Sequence, residues 1–183
     1  MGEDKLSSSF AKDIVLLKQV GINPVVIHGG GPRIKKMLER LKVKSSFVDG
    51  LRVTDQETME VVEMVLSGSI NKEIVMEINK EGGRAIGLSG KDALLVQTKK
   101  YKKKVASGEI EKHLDLGFVG KPTKVNNKYL EQIINSDLIP VISPIGYGVN
   151  YETYNINADI MAGSISSSLL SERLILLTDV KGV

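Results

Sequence analysis

The 183-residue chain contains no cysteine and no tryptophan, and only three phenylalanines and five tyrosines. Without cysteine there is no disulfide, no thiol nucleophile and no thiolate metal site. So few rings leave few platforms for stacking nucleic-acid bases. Nor is there a run of eighteen apolar residues, so no membrane-spanning helix is expected. Residues Met1-Gly2-Glu3-Asp4-Lys5 are not a basic start to an apolar stretch and do not read as a secretory leader. A cytoplasmic protein with neither nucleic acid nor membrane as partner is the expectation. Internal repeats, low-complexity blocks and long linkers are also missing.

What is present is ordinary for a globular protein: 42% apolar and 26% charged residues, in a length that makes one domain or one large and one small. The net charge of +3 helps anionic metabolites approach without implying nucleic acid. The densest basic run, Lys99-Lys100-Tyr101-Lys102-Lys103-Lys104, reads as a solvated loop or hairpin tip.

Hydrophobic spacing alternates between strand and helix. Phe10, Ile14 and Leu17 predict a first helix stopped by Gly21, and residues 23–28 a buried strand. Pro32 opens a helix whose face is Ile34, Met37, Leu38 and Leu41. Thr54-Asp55-Gln56-Glu57 reads as a capping box for a helix running through Leu66 and ended by Gly68. Ile70, Ile74 and Ile78 predict another helix, stopped at Gly82-Gly83. Strands are expected at 85–88 and 93–98, a hairpin region at 99–124, a helix at 129–135 and a strand at 138–143. A helix over 157–170 and a last strand over 174–178 complete the pattern. Such alternation predicts an α/β fold with a mostly parallel sheet covered on both faces.

Two segments carry the chemistry. His28-Gly29-Gly30-Gly31-Pro32 lies between a strand and a helix, where glycine amides and a helix N-terminus suit phosphate or carboxylate oxygens. Asn155-Ile156-Asn157-Ala158-Asp159 sets two amides and a carboxylate at the start of a second helix. Together they suggest an enzyme that handles two anions. Each has a plainer rival. The glycines serve equally as a tight turn, Arg52 as a surface ion pair, Asn155, Asn157 and Asp159 as helix caps, and Asp179 as a strand-end turn residue. His28 reads as a packed strand-end residue rather than a general base.

Seven motifs occur in an order that resembles the N-acetylglutamate kinase branch of the amino-acid kinase family. They are His28 to Pro32, Asp49 to Thr54, Asn71-Lys72, Gly87 to Asp92, Leu116 to Gly120, Tyr154 to Asp159 and Leu177 to Val183. The resemblance implies an open, mainly parallel sheet sandwiched between helices. It also implies ATP-dependent phosphorylation of the side-chain carboxylate of N-acetyl-L-glutamate, in arginine biosynthesis. By the same resemblance Gly30 and Gly31 contact the substrate carboxylate and the moving phosphoryl group, Arg52 the substrate α-carboxylate and Asn155 the bound acetylglutamate. Asp159 orients two catalytic lysines, and Asp179, Val180, Lys181, Gly182 and Val183 begin the nucleotide-contacting loop. Mg²⁺ would come with the ATP, no dedicated metal site is expected, and a homo-oligomer is the family's habit.

The family pattern also has a first strand with a Lys-x-Gly-Gly signature, which Lys5-Leu6-Ser7 does not match. It continues past Val183 to a second phosphate-binding lysine, a role not given to Lys181. The expectation is therefore a single domain, 1–183, formed mainly by the substrate-binding part with the start of the nucleotide-binding part, its first strand and C-terminal part missing. An inactive chain, a non-catalytic acetylglutamate-binding subunit and a kinase for carbamate, aspartate or uridylate stand as alternatives.

Overall fold

A computed structural model describes residues 2–48, 51–107 and 110–177. Helix α1 (Gly2–Gln19) buries Ala11, Ile14 and Val15. It ends as its sequence predicts. Gly21 takes φ +89°, its N–H reaches the Lys18 carbonyl at 3.1 Å and the Ile22 N–H reaches that of Leu17 at 3.0 Å. This paired closure requires a left-handed residue, which glycine adopts without penalty.

Strand β1 (Val26–Ile27) runs into α2 (Gly31–Leu41), where Pro32 occupies the first turn and Ile34 and Leu38 face inward. A two-residue antiparallel ladder follows, β2 (Phe47–Val48) on β3 (Leu51–Arg52). Next comes a continuous helical stretch over residues 56–80: α3 (Gln56–Glu63), a wide-turned π-helical segment (Met64–Ile70) and α4 (Asn71–Lys80). Strand β4 (Ala85–Ser89) leads through a short 3₁₀ turn to the long hairpin β5 (Val96–Ser107) and β6 (Ile110–Val125). The remaining elements are α5 (Asn127–Asn135), β7 (Ile139–Ser143), β8 (Ile145–Tyr147), β9 (Thr153–Asn155) and α6 (Ala158–Ser168).

The central sheet is parallel in the order β1–β7–β4, with Val26 opposite Val141 and Gly87 opposite Val141 from the other side. Its core strand β7 is buried throughout, as a strand covered on both faces must be. On one face Val26, Ile139 and Val141 pack with Ala11, Val15 and Ile78 of α1 and α4. On the other, Leu88 and Ile142 pack with Leu130 and Ile133 of α5 and Met161 and Ile165 of α6. Helices α2 and α3 with the π segment form a third cluster around Ile145. Beside the sheet, β5, β6, β9 and β8 close into a small barrel-like unit.

Three sequence-based expectations need correction. Gly68 does not end a helix: Val65, Leu66 and Ile70 are buried around it, and that packing outweighs the roughly 1 kcal/mol a glycine costs in a helix. Thr54 is no N-cap. Asp55 takes that place, accepting from the Thr58 N–H at 2.8 Å, while Thr54 is fully buried elsewhere. Of the strand expected at 174–178, Thr178 lies outside the described residues, and Leu174 to Leu177 form no strand, because no strand lies beside them among the described residues to pair their backbone groups, and all four side chains are exposed. The hairpin expected around 99–124 is present, and Lys99, Lys100 and Lys102 are exposed along it.

Candidate active site

The parallel strands end together, and the carboxyl ends of such strands are where open α/β sheets place their ligands. At the end of β1 the chain turns through His28, Gly29 and Gly30 into α2. Gly29 and Gly31 are exposed and Gly30 half-buried. No acceptor among the described residues takes up the N–H of Gly29, Gly30 or Gly31. Gly30 lies against the π segment so closely that a Cβ would stand 2.4 Å from Ile70 Cδ1 and 2.7 Å from Leu66 Cδ2. A Cβ on Gly29 would lie 3.7 Å from the Cβ of Ala158, so the N-termini of α2 and α6 adjoin. Two helix N-termini and free amides at one place make a locally positive, anion-attracting surface.

Arg52 comes to this loop from β3. Its Nη2 donates to the Gly31 carbonyl at 3.3 Å, Nη1 donates to Ser45 Oγ, and the guanidinium carbon sits 4.4 Å from the centre of the Phe47 ring. It is 6% exposed, yet no carboxylate among the described residues pairs with it. Burial pulls its pKa below the ordinary arginine value. A buried cation served only by neutral groups is one whose charge is still to be matched.

Asn155, at the end of β9, joins the same group. Its Nδ2 donates to Thr54 Oγ1 at 3.4 Å, and that hydroxyl donates to the Arg52 carbonyl at 2.9 Å. Thr54 is itself anchored to β6: its N–H reaches Leu116 O at 2.9 Å and its carbonyl accepts from Phe118 N at 2.6 Å. Gly117 between them takes φ +73°, and a Cβ there would be 2.1 Å from Thr54 O. Asn157 caps α6, accepting from Ile160 N at 3.1 Å, so for that residue the plainer rival holds. Asp159 is exposed in the first turn of α6 and forms no ion pair with a described residue. Asp179, Val180, Lys181, Gly182 and Val183 lie outside the described residues.

The structure thus joins Gly30, Gly31, Arg52 and Asn155, with Asp159 one residue from the Gly29–Ala158 contact. It adds groups to which the sequence reading gave no part in the site. Thr54 is the bridge between Arg52 and Asn155; Ser45 and Phe47 hold the guanidinium. Asn71 is 1% exposed and reaches His28. Thr54 and Asn71 each carried a signal in the sequence, inside an ordered motif, without a role at the site. The expectation that His28 is a packed strand-end residue agrees with its burial.

The chain belongs to the amino acid kinase family, whose model matches residues 2–183. Aligned over 185 positions covering all of it, the chain is 59% identical to the acetylglutamate kinase of Rhodospirillum centenum and 57% identical to that of Rhodospirillum rubrum. It spans 61% and 60% of those proteins' lengths. Among solved structures, a Streptococcus mutans protein superposes with a TM-score of 0.85 at 28% identity, over 97% of this chain and 71% of that one. The Giardia carbamate kinase, at 14% identity and a TM-score of 0.60 over 96% of this chain and 66% of its own, shares the fold.

Proposed function

We propose that the chain is the substrate-binding part of an enzyme that phosphorylates the side-chain carboxylate of N-acetyl-L-glutamate with ATP, a step of arginine biosynthesis. The observation that carries this is Arg52, a buried guanidinium that meets no carboxylate among the described residues and lies 3.3 Å from a glycine loop whose amides no described group takes up. The names of the relatives supply the substrate. In this reading Arg52 grips the α-carboxylate as a two-donor fork and Asn155 meets the bound acetylglutamate. The Gly30 and Gly31 amides face the reacting carboxylate and the phosphoryl group. Asp159 orients the charged groups at the phosphates, and Asp179 to Val183 begin the nucleotide loop.

Transfer between two anions is a matter of positioning and neutralising charge, so donors fixed in advance are what such a site must offer. ATP would bring its own Mg²⁺. Among the described residues no cluster of His, Asp and Glu is gathered that could hold a metal ion, so the ion would ride on the phosphates. Residues 1–183 form one domain in this reading, acting in the cytoplasm as part of a homo-oligomer.

The test is calorimetric titration of the chain with N-acetyl-L-glutamate, with glutamate and aspartate as controls. Selective binding of the acetylated ligand is expected, and Arg52→Ala should weaken it by about 10- to 100-fold, the value of charge-assisted hydrogen bonds. Unchanged affinity in a folded Arg52→Ala variant would refute the assignment.

A further inference from the structure

We infer that His28 and Asn71 form a tautomer lock that aims the Gly30 amide into the candidate active site, a positioning role that rests on the reading just given. His28 lies between two partners. Its Nδ1 is 3.0 Å from the Gly29 carbonyl and its Nε2 is 3.2 Å from Asn71 Nδ2. The surroundings of Asn71 fix the direction of both bonds. Its Nδ2 also faces Val141 O at 2.9 Å and Leu88 O at 3.4 Å, while its Oδ1 accepts from Lys72 Nζ at 3.2 Å. Turning the carboxamide over would set oxygen against two carbonyls and an NH₂ against an ammonium. Asn71 therefore presents hydrogen to His28, Nε2 accepts it, and the ring's own proton sits on Nδ1, where it bonds Gly29 O.

This bond matters for Gly30 because a trans peptide points its C=O and N–H in opposite directions, and the described backbone has no cis bonds. Drawing the Gly29 carbonyl toward the buried ring turns the Gly30 N–H the other way, where no described group accepts it. A glycine loop free to rotate that peptide would spend part of its time with the carbonyl facing an anion. The lock is built in from further away as well. Asn71 is the first residue of α4, immediately after the π segment that packs on Gly30. Gly87 clears its place, since a Cβ there would be 1.9 Å from Asn71 Oδ1 and 2.6 Å from Lys72 Nζ.

Two measurements test the lock. The chain has two histidines, His28 and His113, so ring ¹⁵N spectra can be assigned by comparison with a His28→Asn variant. A proton on Nδ1 and a bare Nε2 are expected; a proton on Nε2 would overturn the proposal. The second uses the shapes of two amides. His28→Asn keeps a donor near the place of Nδ1 and should hold N-acetyl-L-glutamate within about threefold of the original affinity. His28→Gln keeps a group near Nε2 for Asn71 but leaves Gly29 O without a donor. It should lose roughly tenfold, the worth of one hydrogen bond, and shift the Gly30 amide resonance. A role in packing alone would rank the two by thermal stability, so affinity equal or higher in His28→Gln overturns the lock. Should the unsubstituted chain bind no N-acetyl-L-glutamate, the functional reading fails. The ring tautomer and the Gly30 resonance in the two variants still decide the lock.

Discussion

Asn71 and Arg52 are both buried polar residues, one at each end of the loop from His28 to Gly31, and they are served in opposite ways. Asn71 has an acceptor for its NH₂ on three sides and a donor for its oxygen. Among the described residues Arg52 has a carbonyl, a hydroxyl and an aromatic face, all neutral. Where every group is matched, the residue holds β1, β7 and β4 together at their ends. Where a charge is left over, the protein carries a cost that only a ligand removes. Burial alone does not distinguish a structural polar residue from a functional one; the balance of partners does.

The sharpest way to break this contrast is to remove each residue in turn. Asn71→Leu takes the amide donors away from His28 Nε2 and the Val141 carbonyl inside the core, so a loss of about 3–4 kcal/mol is expected by urea unfolding. A loss under about 1 kcal/mol would mean that the network is incidental. Arg52→Met should change stability by less than about 1 kcal/mol, in either direction, because the desolvated charge leaves with its contacts. A stability loss comparable to that of Asn71→Leu would make Arg52 a structural residue after all. Within the loop the same contrast recurs on a smaller scale. Gly30→Ala must push aside Ile70 and Leu66 and should cost about 1–3 kcal/mol. Gly31→Ala, with nothing within 4 Å of its Cβ, should leave the unfolding midpoint unchanged. If Gly31→Ala also leaves acetylglutamate affinity intact, Gly31 is only a turn residue.

The sequence was most readable where local chemistry decides alone. The Gly21 closure of α1, Pro32 opening α2 and the buried run at 139–143 follow from propensity and hydrophobic pattern. The helix ending expected at Gly68 failed because burial of Val65, Leu66 and Ile70 overrides a local preference. The last strand failed because a strand is defined by neighbours, and no spacing within residues 174–177 reveals whether any exist. For the site, motif order supplied Gly30, Gly31, Arg52, Asn155 and Asp159. It contained Thr54 without a role and was silent about Ser45 and Phe47, and the parts of all three come from contacts across the β2–β3 and β6 ladders. Thr54 was even assigned another task, since Thr-Asp-Gln-Glu satisfies a capping rule in one dimension and a buried threonine bridge only in three.

The smallest expected effect is titrational and isolates His28 from Arg52. Burial lowers the His28 pKa below its ordinary 6.5, more than the bond to Gly29 O raises it. The folded ring thus stays neutral where the unfolded one begins to take up a proton. The unfolded state then binds more protons, and stability falls as pH drops below about 6.5, by less than about 1.4 kcal/mol per pH unit. Above that pH both states are neutral and His28 contributes no slope. Asp55 and Glu73, whose carboxyls are held below their usual range by Thr58 and Arg33, add losses of the same sign as those groups become protonated. The share of His28 is therefore read as a difference: urea midpoints of the original chain and of His28→Gln, measured from pH 7.5 to 5.5. The His28→Gln curve should be flatter below 6.5, while Arg52→Met should run parallel to the original. Equal slopes for the original and His28→Gln would mean that the ring accepts its second proton without disturbing Asn71, and the contrast between a matched and an unmatched polar residue would then lose its first member.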